Sequence, residues 1–171
     1  MVIRKETQSD YAQVYTLVKA AFAQADHADG NEQDLVVLLR KSPAFLPQLS
    51  LVAEEAGKIV GHILFTQVQI GESTQVALAP LAVLPEYQRQ GIGTALIEEG
   101  HHIAASLGYG YSIVLGSSAY YPRMGYVPAD TLGISCPFSG VPRENFMACR
   151  LQTEVPSIHG VVQYAQAFFQ V

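Results

Sequence analysis

The sequence predicts a single domain of the α/β or α+β class, and three observations carry the prediction. Short apolar runs of strand character alternate with stretches whose apolar residues recur at helical spacing. At the centre, the run Val76 to Leu84 passes through Pro85-Glu86-Tyr87 into a bend, Gln88-Arg89-Gln90-Gly91-Ile92-Gly93-Thr94, that opens a helix. The chain has 171 residues, 49% hydrophobic and only 15% charged. That length suits one core burying about 70% of the unfolded chain's surface, and the composition belongs to a packed chain rather than a disordered one.

Val2-Ile3-Arg4 reads as the first strand. Ser9 is placed as the N-cap of a helix with Asp10 in its first turn, and Val14, Leu17, Val18 and Ala21 mark its apolar face to about Gln24. Asp26-His27-Ala28-Asp29-Gly30-Asn31 reads as a polar loop. A second helix spans about Glu32 to Arg40, carrying Leu35, Val36, Leu38 and Leu39, and Pro43 and Pro47 mark its exit. Leu49 to Glu54 and Lys58 to Val68 form two strands joined through Glu55-Ala56-Gly57. Pro80 interrupts the next strand; a proline cannot donate to a ladder, so an edge, a bulge or a parting of strands is expected there. After the bend, Leu96, Ile103 and Leu107 share a helix face, and Gly108 is the C-cap. Ser112 to Leu115 is a short buried strand, and Ala119 to Met124 forms one or two helical turns ended by Gly125. Met147 to Leu151 is the clearest of two or three further strands.

Composition excludes several function classes. Ten Lys and Arg are scattered among fifteen Asp and Glu, for a net charge of −5, whereas nucleic-acid binding requires a basic face. An acidic body suits a cationic amine by long-range steering, though it serves solubility equally well. No apolar stretch approaches the ~20 residues of a membrane span. Met1 to Glu6 has no apolar signal core, and Cys136 and Cys149 read as two reduced thiols, so a cytoplasmic location is expected. Two cysteines cannot make a tetrahedral zinc site, and none of the five histidines stands at a metal-ligand spacing from another, so no metal is expected. His101 and His102 read as surface residues and His62 as a locally hydrogen-bonded strand residue.

A strand, a glycine-rich bend and a helix start together build an anion site. Gly91 and Gly93 let the backbone approach a ligand, the free N–H groups of the first helical turn point at it, and Arg89 adds a positive charge. The natural guest is a phosphate or pyrophosphate. A Walker-type loop needs a lysine before Thr94, and a dinucleotide fingerprint needs a glycine at Leu96 and an acidic residue roughly 20 positions on. The sequence has none of these.

What remains is Gln-x-x-Gly-x-Gly, spelled by Gln88, Gly91 and Gly93, with Leu81-Ala82-Val83 upstream and Tyr120-Tyr121-Pro122-Arg123-Met124-Gly125-Tyr126 downstream. With these elements the chain resembles the GNAT superfamily of acetyl-CoA-dependent N-acetyltransferases, over roughly residues 2 to 130 in element order. The resemblance implies a GNAT-like single domain over residues 1–171, with a 2–130 core and additional strands in 131–171. It further implies a mixed, mostly antiparallel sheet flanked by helices, with a V-shaped cofactor cleft between the fourth and fifth strands. Acetyl-CoA would be the co-substrate and a primary amine of a small molecule or peptide the acceptor. The pyrophosphate would lie on Gln88, Arg89, Gln90, Gly91, Ile92, Gly93 and Thr94. The pantetheine arm would meet the strand backbone at Leu81 and Val83, and an N–H near Leu81 or Ala82 would polarise the thioester carbonyl. Tyr121 takes the position of the acid that protonates the departing thiolate, which a phenol of pKa near 10 can do at neutral pH. Tyr120 takes the preceding packing aromatic's place and Tyr126 the closing one's.

The sequence also departs from the family's pattern. The asparagine that many members carry before the tyrosine is missing from Leu115-Gly116-Ser117-Ser118-Ala119, where Ser117 or Ser118 would have to substitute. The fourth-strand glutamate that serves as general base in many members is missing from Val76 to Leu81. The base is then Glu32, a relayed water, or nothing specific. Glu32 belongs to the acidic set Asp26, Asp29, Glu32 and Asp34 around His27, readable as a solvated loop or as a patch facing an ammonium group. As a first-turn residue, Glu32 either faces the acceptor or only complements the helix dipole. A non-catalytic acyl-CoA sensor is the competing function, an acyl group longer than acetyl stays open, and monomer and homodimer are not distinguished.

Overall fold

The computed structural model describes residues 1–23, 25 and 28–171; Gln24, Asp26 and His27, part of the predicted helix end and polar loop, lie outside them. Its strands are β1 (Val2–Lys5), β2 (Phe45–Glu55), β3 (Lys58–Ile70), β4 (Ser73–Val83), β5 (Tyr111–Leu115), β6 (Val127–Pro128), β7 (Ile134–Ser135), β8 (Phe146–Arg150) and β9 (Gly160–Gln163). The helices are α1 (Tyr11–Phe22), α2 (Glu32–Arg40) and α3 (Ile92–Ser106). The sheet runs β1-β2-β3-β4-β5-β8-β6, and β9 pairs with the end of β3 and with β7. Its pairings are antiparallel except β4–β5 and β7–β9. This is the expected mixed sheet flanked by helices.

β3 lies in the middle because it is apolar on both faces: Ile59 to Phe65 is buried throughout. One of its faces, with Ile63 and Phe65, packs with Leu96 and Ile97 of α3. The other, with Leu64, packs beneath Val14, Leu17 and Val18 of α1 and Val36 and Leu39 of α2. A third cluster, including Tyr111, Ile113, Phe146 and Val162, closes the end built from the C-terminal strands.

The parting of β4 from β5 creates the site. They pair only at Val76↔Ser112 and Ala77↔Ile113. β4 then runs on to Val83 against β3, with Ile63↔Leu81, His62↔Ala82 and Gly61↔Val83. Between Phe65↔Leu78 and Ile63↔Leu81 it carries one residue more than its partner, so Pro80 occupies a bulge, where its missing N–H leaves no ladder bond unmade.

Several local expectations are corrected. The first helix is entered through a 3-10 turn, Gln8–Asp10, capped by Thr7 rather than Ser9. Asp10 accepts the Thr7 N–H at 2.7 Å while Arg4 binds it bidentately at 2.8 and 3.0 Å. The guanidinium's hydrogen bonds hold that carboxyl at about 2. β2 begins at Phe45, with Pro47 in a stretch of broken register. The buried residues of α3 are Ile92, Leu96, Ile97, Gly100 and Ala104, whereas Leu107 lies beyond the helix end and is exposed. Gly108 follows it in the left-handed conformation, at φ 95°.

Candidate active site at the parting of the central strands

The bend before α3 is built by two left-handed residues, Arg89 at φ 62° and Gly91 at φ 85°. The second sits at the N-cap of α3, where a Cβ would meet strain but no neighbour. The first intrahelical bond runs from the Ala95 N–H to the Gly91 carbonyl at 3.0 Å, so the N–H groups of Ile92, Gly93 and Thr94 have no intrahelical acceptor. The first turn holds no acidic residue and no side chain caps it among the described residues. Gln88 and Gln90 brace this loop from below. The Gln88 amide donates to the Val83 carbonyl at 3.0 Å and the Gln90 amide to the Glu86 carbonyl at 3.2 Å, while the Gln88 N–H donates to Pro85. The structure therefore ties the Gln88 side chain back to the end of β4. Ile92 contributes its N–H alone, because its side chain is in the core.

The direction of the β4 backbone follows from one bond. The Leu84 N–H donates to Val60 of β3 at 2.9 Å. Strand alternation then turns Ala82 toward β3 and Leu81 and Val83 away from it, into the gap left by β5. The Gln88 amide reaching the Val83 carbonyl agrees with this. Of the residues at the bulged strand, Leu81 presents backbone groups to the gap, and Ala82, expected as an alternative donor, does not: its N–H belongs to the β3 ladder.

The opposite wall is the tyrosine turn. Both Tyr120 and Tyr121 donate their N–H to the Ser117 carbonyl at 3.2 Å, and the Ser117 hydroxyl accepts the Ala119 N–H at 3.2 Å. Ser117 therefore caps the turn. A 3-10 turn over Tyr121–Met124 follows and ends at Gly125, whose φ is 93°. A Cβ on Gly93 would lie 2.6 Å from the Tyr120 hydroxyl and 3.6 Å from Leu81 Cδ2, so this glycine admits Tyr120 against the start of α3. A Cβ on Gly116 would lie 2.5 Å from the Tyr121 ring, which rests on the end of β5. The two rings meet edge-on at 5.1 Å, and Tyr121 meets Tyr126 at 5.6 Å. Burial, with Tyr120 adding to it, pushes the Tyr121 phenol well above its ordinary range, so it is protonated at neutral pH.

Three features were not visible in the sequence. Asn145 donates its amide to the Gly116 carbonyl at 3.0 Å, and the Gly116 N–H returns to the Asn145 carbonyl at 2.9 Å. An asparagine thus does reach the end of β5, from the far side of the chain. His101 is no surface residue: its Nε2 meets the Tyr126 hydroxyl at 2.9 Å, and burial pulls its pKa down to about 4. Glu32 has both oxygens engaged, accepting the Asp29 N–H at 2.8 Å and the Gly30 N–H at 3.1 Å. The structure thus gives this carboxylate a loop-closing role. Asp34 of the same acidic set accepts the Tyr15 hydroxyl at 2.9 Å, and Asp26 lies outside the described residues. His62 follows expectation, its Nδ1 2.9 Å from the Leu51 carbonyl.

A helix start with no side-chain cap among the described residues, an open strand edge and paired tyrosines thus meet where β4 and β5 part. Residues 11–126 match the acetyltransferase (GNAT) family. The chain is 39% identical over 127 residues to the uncharacterised N-acetyltransferase YjhQ of Escherichia coli K12, covering 71% of this chain and 70% of that one. It is 30% identical over 171 residues to the uncharacterised N-acetyltransferase YhbS of the same organism, covering 98% of both. The crystal structure of E. coli YhbS in complex with CoA superposes with a TM-score of 0.88 at 30% identity, covering 99% of this chain and 92% of that one. A GNAT family acetyltransferase from Brucella melitensis in complex with acetyl-CoA superposes with a TM-score of 0.80 at 33% identity, covering 98% and 97%. The chain belongs to the GNAT acetyltransferase family.

Proposed function

We propose that the chain transfers an acetyl group from acetyl-CoA to a primary amine of a small molecule or peptide. The observation that carries this reading is the continuity of the uncapped first turn of α3 with the open edge of β4, a phosphate site leading into a row of free amide groups. The complexes of E. coli YhbS with CoA and of the B. melitensis protein with acetyl-CoA support it. The N–H groups of Ile92, Gly93 and Thr94, with Arg89, hold the pyrophosphate. Gly91 supplies the loop geometry, and Gln88 and Gln90 keep the loop in place. Leu81 and Val83 hold the amides of the pantetheine arm, and the Leu81 N–H polarises the thioester carbonyl.

Acetyl-CoA brings an acyl carbon activated by a good leaving group. As the amine nitrogen bonds to that carbon and the carbon–sulfur bond breaks, Tyr121 gives its phenolic proton to the departing sulfur and recovers one from solvent. Water takes the proton that the amine loses, because β4 offers Pro80, Leu81, Ala82 and Val83 at this place and no carboxylate. No helix among the described residues is long and apolar enough to cross a membrane. The two free cysteines, Cys136 and Cys149, suit the reducing cytoplasm, where we place the protein.

The test is turnover of Tyr121→Phe against an amine panel. A fall of about 10²-fold in kcat with acetyl-CoA affinity unchanged is expected, and Tyr120→Phe should be mild. The reverse pattern would make Tyr120, whose hydroxyl rests at Gly93, the donor. Tight acetyl-CoA binding without release of its thiol in the presence of any amine would favour a sensor.

A further inference from the structure

We propose that His101 and Ser112 are positioning residues for the Tyr121 phenol, acting through the hydroxyl of Tyr126; this rests on the reading of Tyr121 as proton donor. The Tyr126 side chain is 1% exposed, and a buried phenol requires hydrogen-bond partners. It has two, the Ser112 hydroxyl at 2.7 Å and His101 Nε2 at 2.9 Å. One partner comes from β5 and the other from α3, so the ring is tied to both elements. His101 is itself wedged, 5.4 Å from the Tyr126 ring and 6.0 Å from Phe65.

Tyr121 stands edge-on to this fixed ring at 5.6 Å and to Tyr120 at 5.1 Å, with Gly116 beneath it. The aromatic ladder therefore starts at Gly93, where the Tyr120 hydroxyl touches the first turn of α3, and ends at His101, about 12 Å further along the same helix. The helix whose first turn would hold the phosphates thus also anchors the ring against which Tyr121 packs. A phenylalanine in place of Tyr126 would fill its volume but could slide along its ring plane, and the donor would slide with it. The hydroxyl and its two partners remove that freedom.

A double-mutant cycle tests this. His101→Phe should lower kcat about tenfold with acetyl-CoA affinity unchanged within twofold. His101→Gln, which can give or accept the same hydrogen bond, should restore most of it. In a Tyr121→Phe background, His101→Phe should cost less than a further twofold, because the group it positions is already gone. Tyr126→Phe should behave as His101→Phe does. If Tyr126→Phe does not fold, the two His101 variants decide alone. Losses that multiply in the double variant, or an unchanged kcat in His101→Phe, overturn the positioning role while leaving the donor in place. Full turnover in Tyr121→Phe alone removes the donor reading, and the positioning with it.

Discussion

The N-termini of α2 and α3 are opposites. α2 begins with Glu32 and Asp34 in its first turn, and Glu32 spends both carboxylate oxygens on the N–H groups of Asp29 and Gly30. α3 begins at a left-handed glycine with no acidic residue in its first turn and, among the described residues, no side-chain cap. A helix start that carries its own carboxylate has no use for an outside anion, and one that carries none presents its positive end to a ligand. The contrast extends down the helices. α2 ends in a buried ion pair, Arg40 with Glu6, bidentate at 2.9 and 3.0 Å, with Tyr11 over the guanidinium at 3.8 Å. One layer is closed on itself by charge, and the other is left open where chemistry is expected.

The largest effect should come from opening the closed layer. In Arg40→Ala the Glu6 carboxylate, with a side chain only 3% exposed, would keep only the Ser50 hydroxyl as a partner from this cluster. Removing one member of such a pair costs roughly 3–5 kcal/mol. Urea unfolding should show that loss, and the folded fraction should still bind acetyl-CoA normally. A loss below about 1 kcal/mol would mean that the pair is already compensated by solvent and that the layer is less closed than its geometry suggests.

Closing the open layer comes next. Gly91→Asp places a carboxylate at the start of α3, on a residue whose φ is 85°. A charge there is worth up to ~2 kcal/mol in favourable geometry, and here it would oppose a multiply charged ligand. Acetyl-CoA affinity should fall roughly 30- to 100-fold by calorimetry, with the circular dichroism spectrum retained. Arg89→Ala should cost about tenfold or less, because the backbone donors remain. Unchanged affinity in a folded Gly91→Asp protein would move the phosphates elsewhere.

The open layer was also the legible one. A left-handed turn at Gly91 or Gly125 is a demand on one residue, written as a glycine, and the tyrosine pair lies within a few residues of the second. What stayed hidden depends on partners distant in sequence. Thr7 replaces Ser9 as cap because Arg4, on β1, draws in Asp10. Asn145 reaches Gly116 across 29 residues. Whether Leu81 or Ala82 faces the gap depends on pairing register with β3, and one residue of slip would exchange them. His101 sits on a helix with His102 beside it, and only the position of Tyr126 draws one of the two off the surface. The acidic loop stays ambiguous in sequence for a related reason: composition shows carboxylates, whereas the backbone N–H groups that use them cannot be counted from sequence.

The smallest effect is the sharpest check on that last point. Glu32→Gln keeps an oxygen for one of the two loop N–H groups and sets an amide donor against the other. It also removes a charge from the first turn of α2, which at an exposed helix start is worth ~0.3–1 kcal/mol. If the carboxylate only closes the loop, thermal unfolding should record a loss of that size. The KM for the amine and the alkaline limb of the pH–rate profile should then coincide with wild type. A carboxylate that also met the acceptor would show itself differently, as a raised amine KM or a shifted alkaline limb with acetyl-CoA affinity intact, because the proton it handled would need another route. The two outcomes do not overlap: one changes stability and leaves kinetics alone, and the other changes kinetics by more than a lost cap can. Each oxygen already accepts a backbone hydrogen bond, which turns the carboxylate back onto its own loop. The first outcome is therefore the one expected.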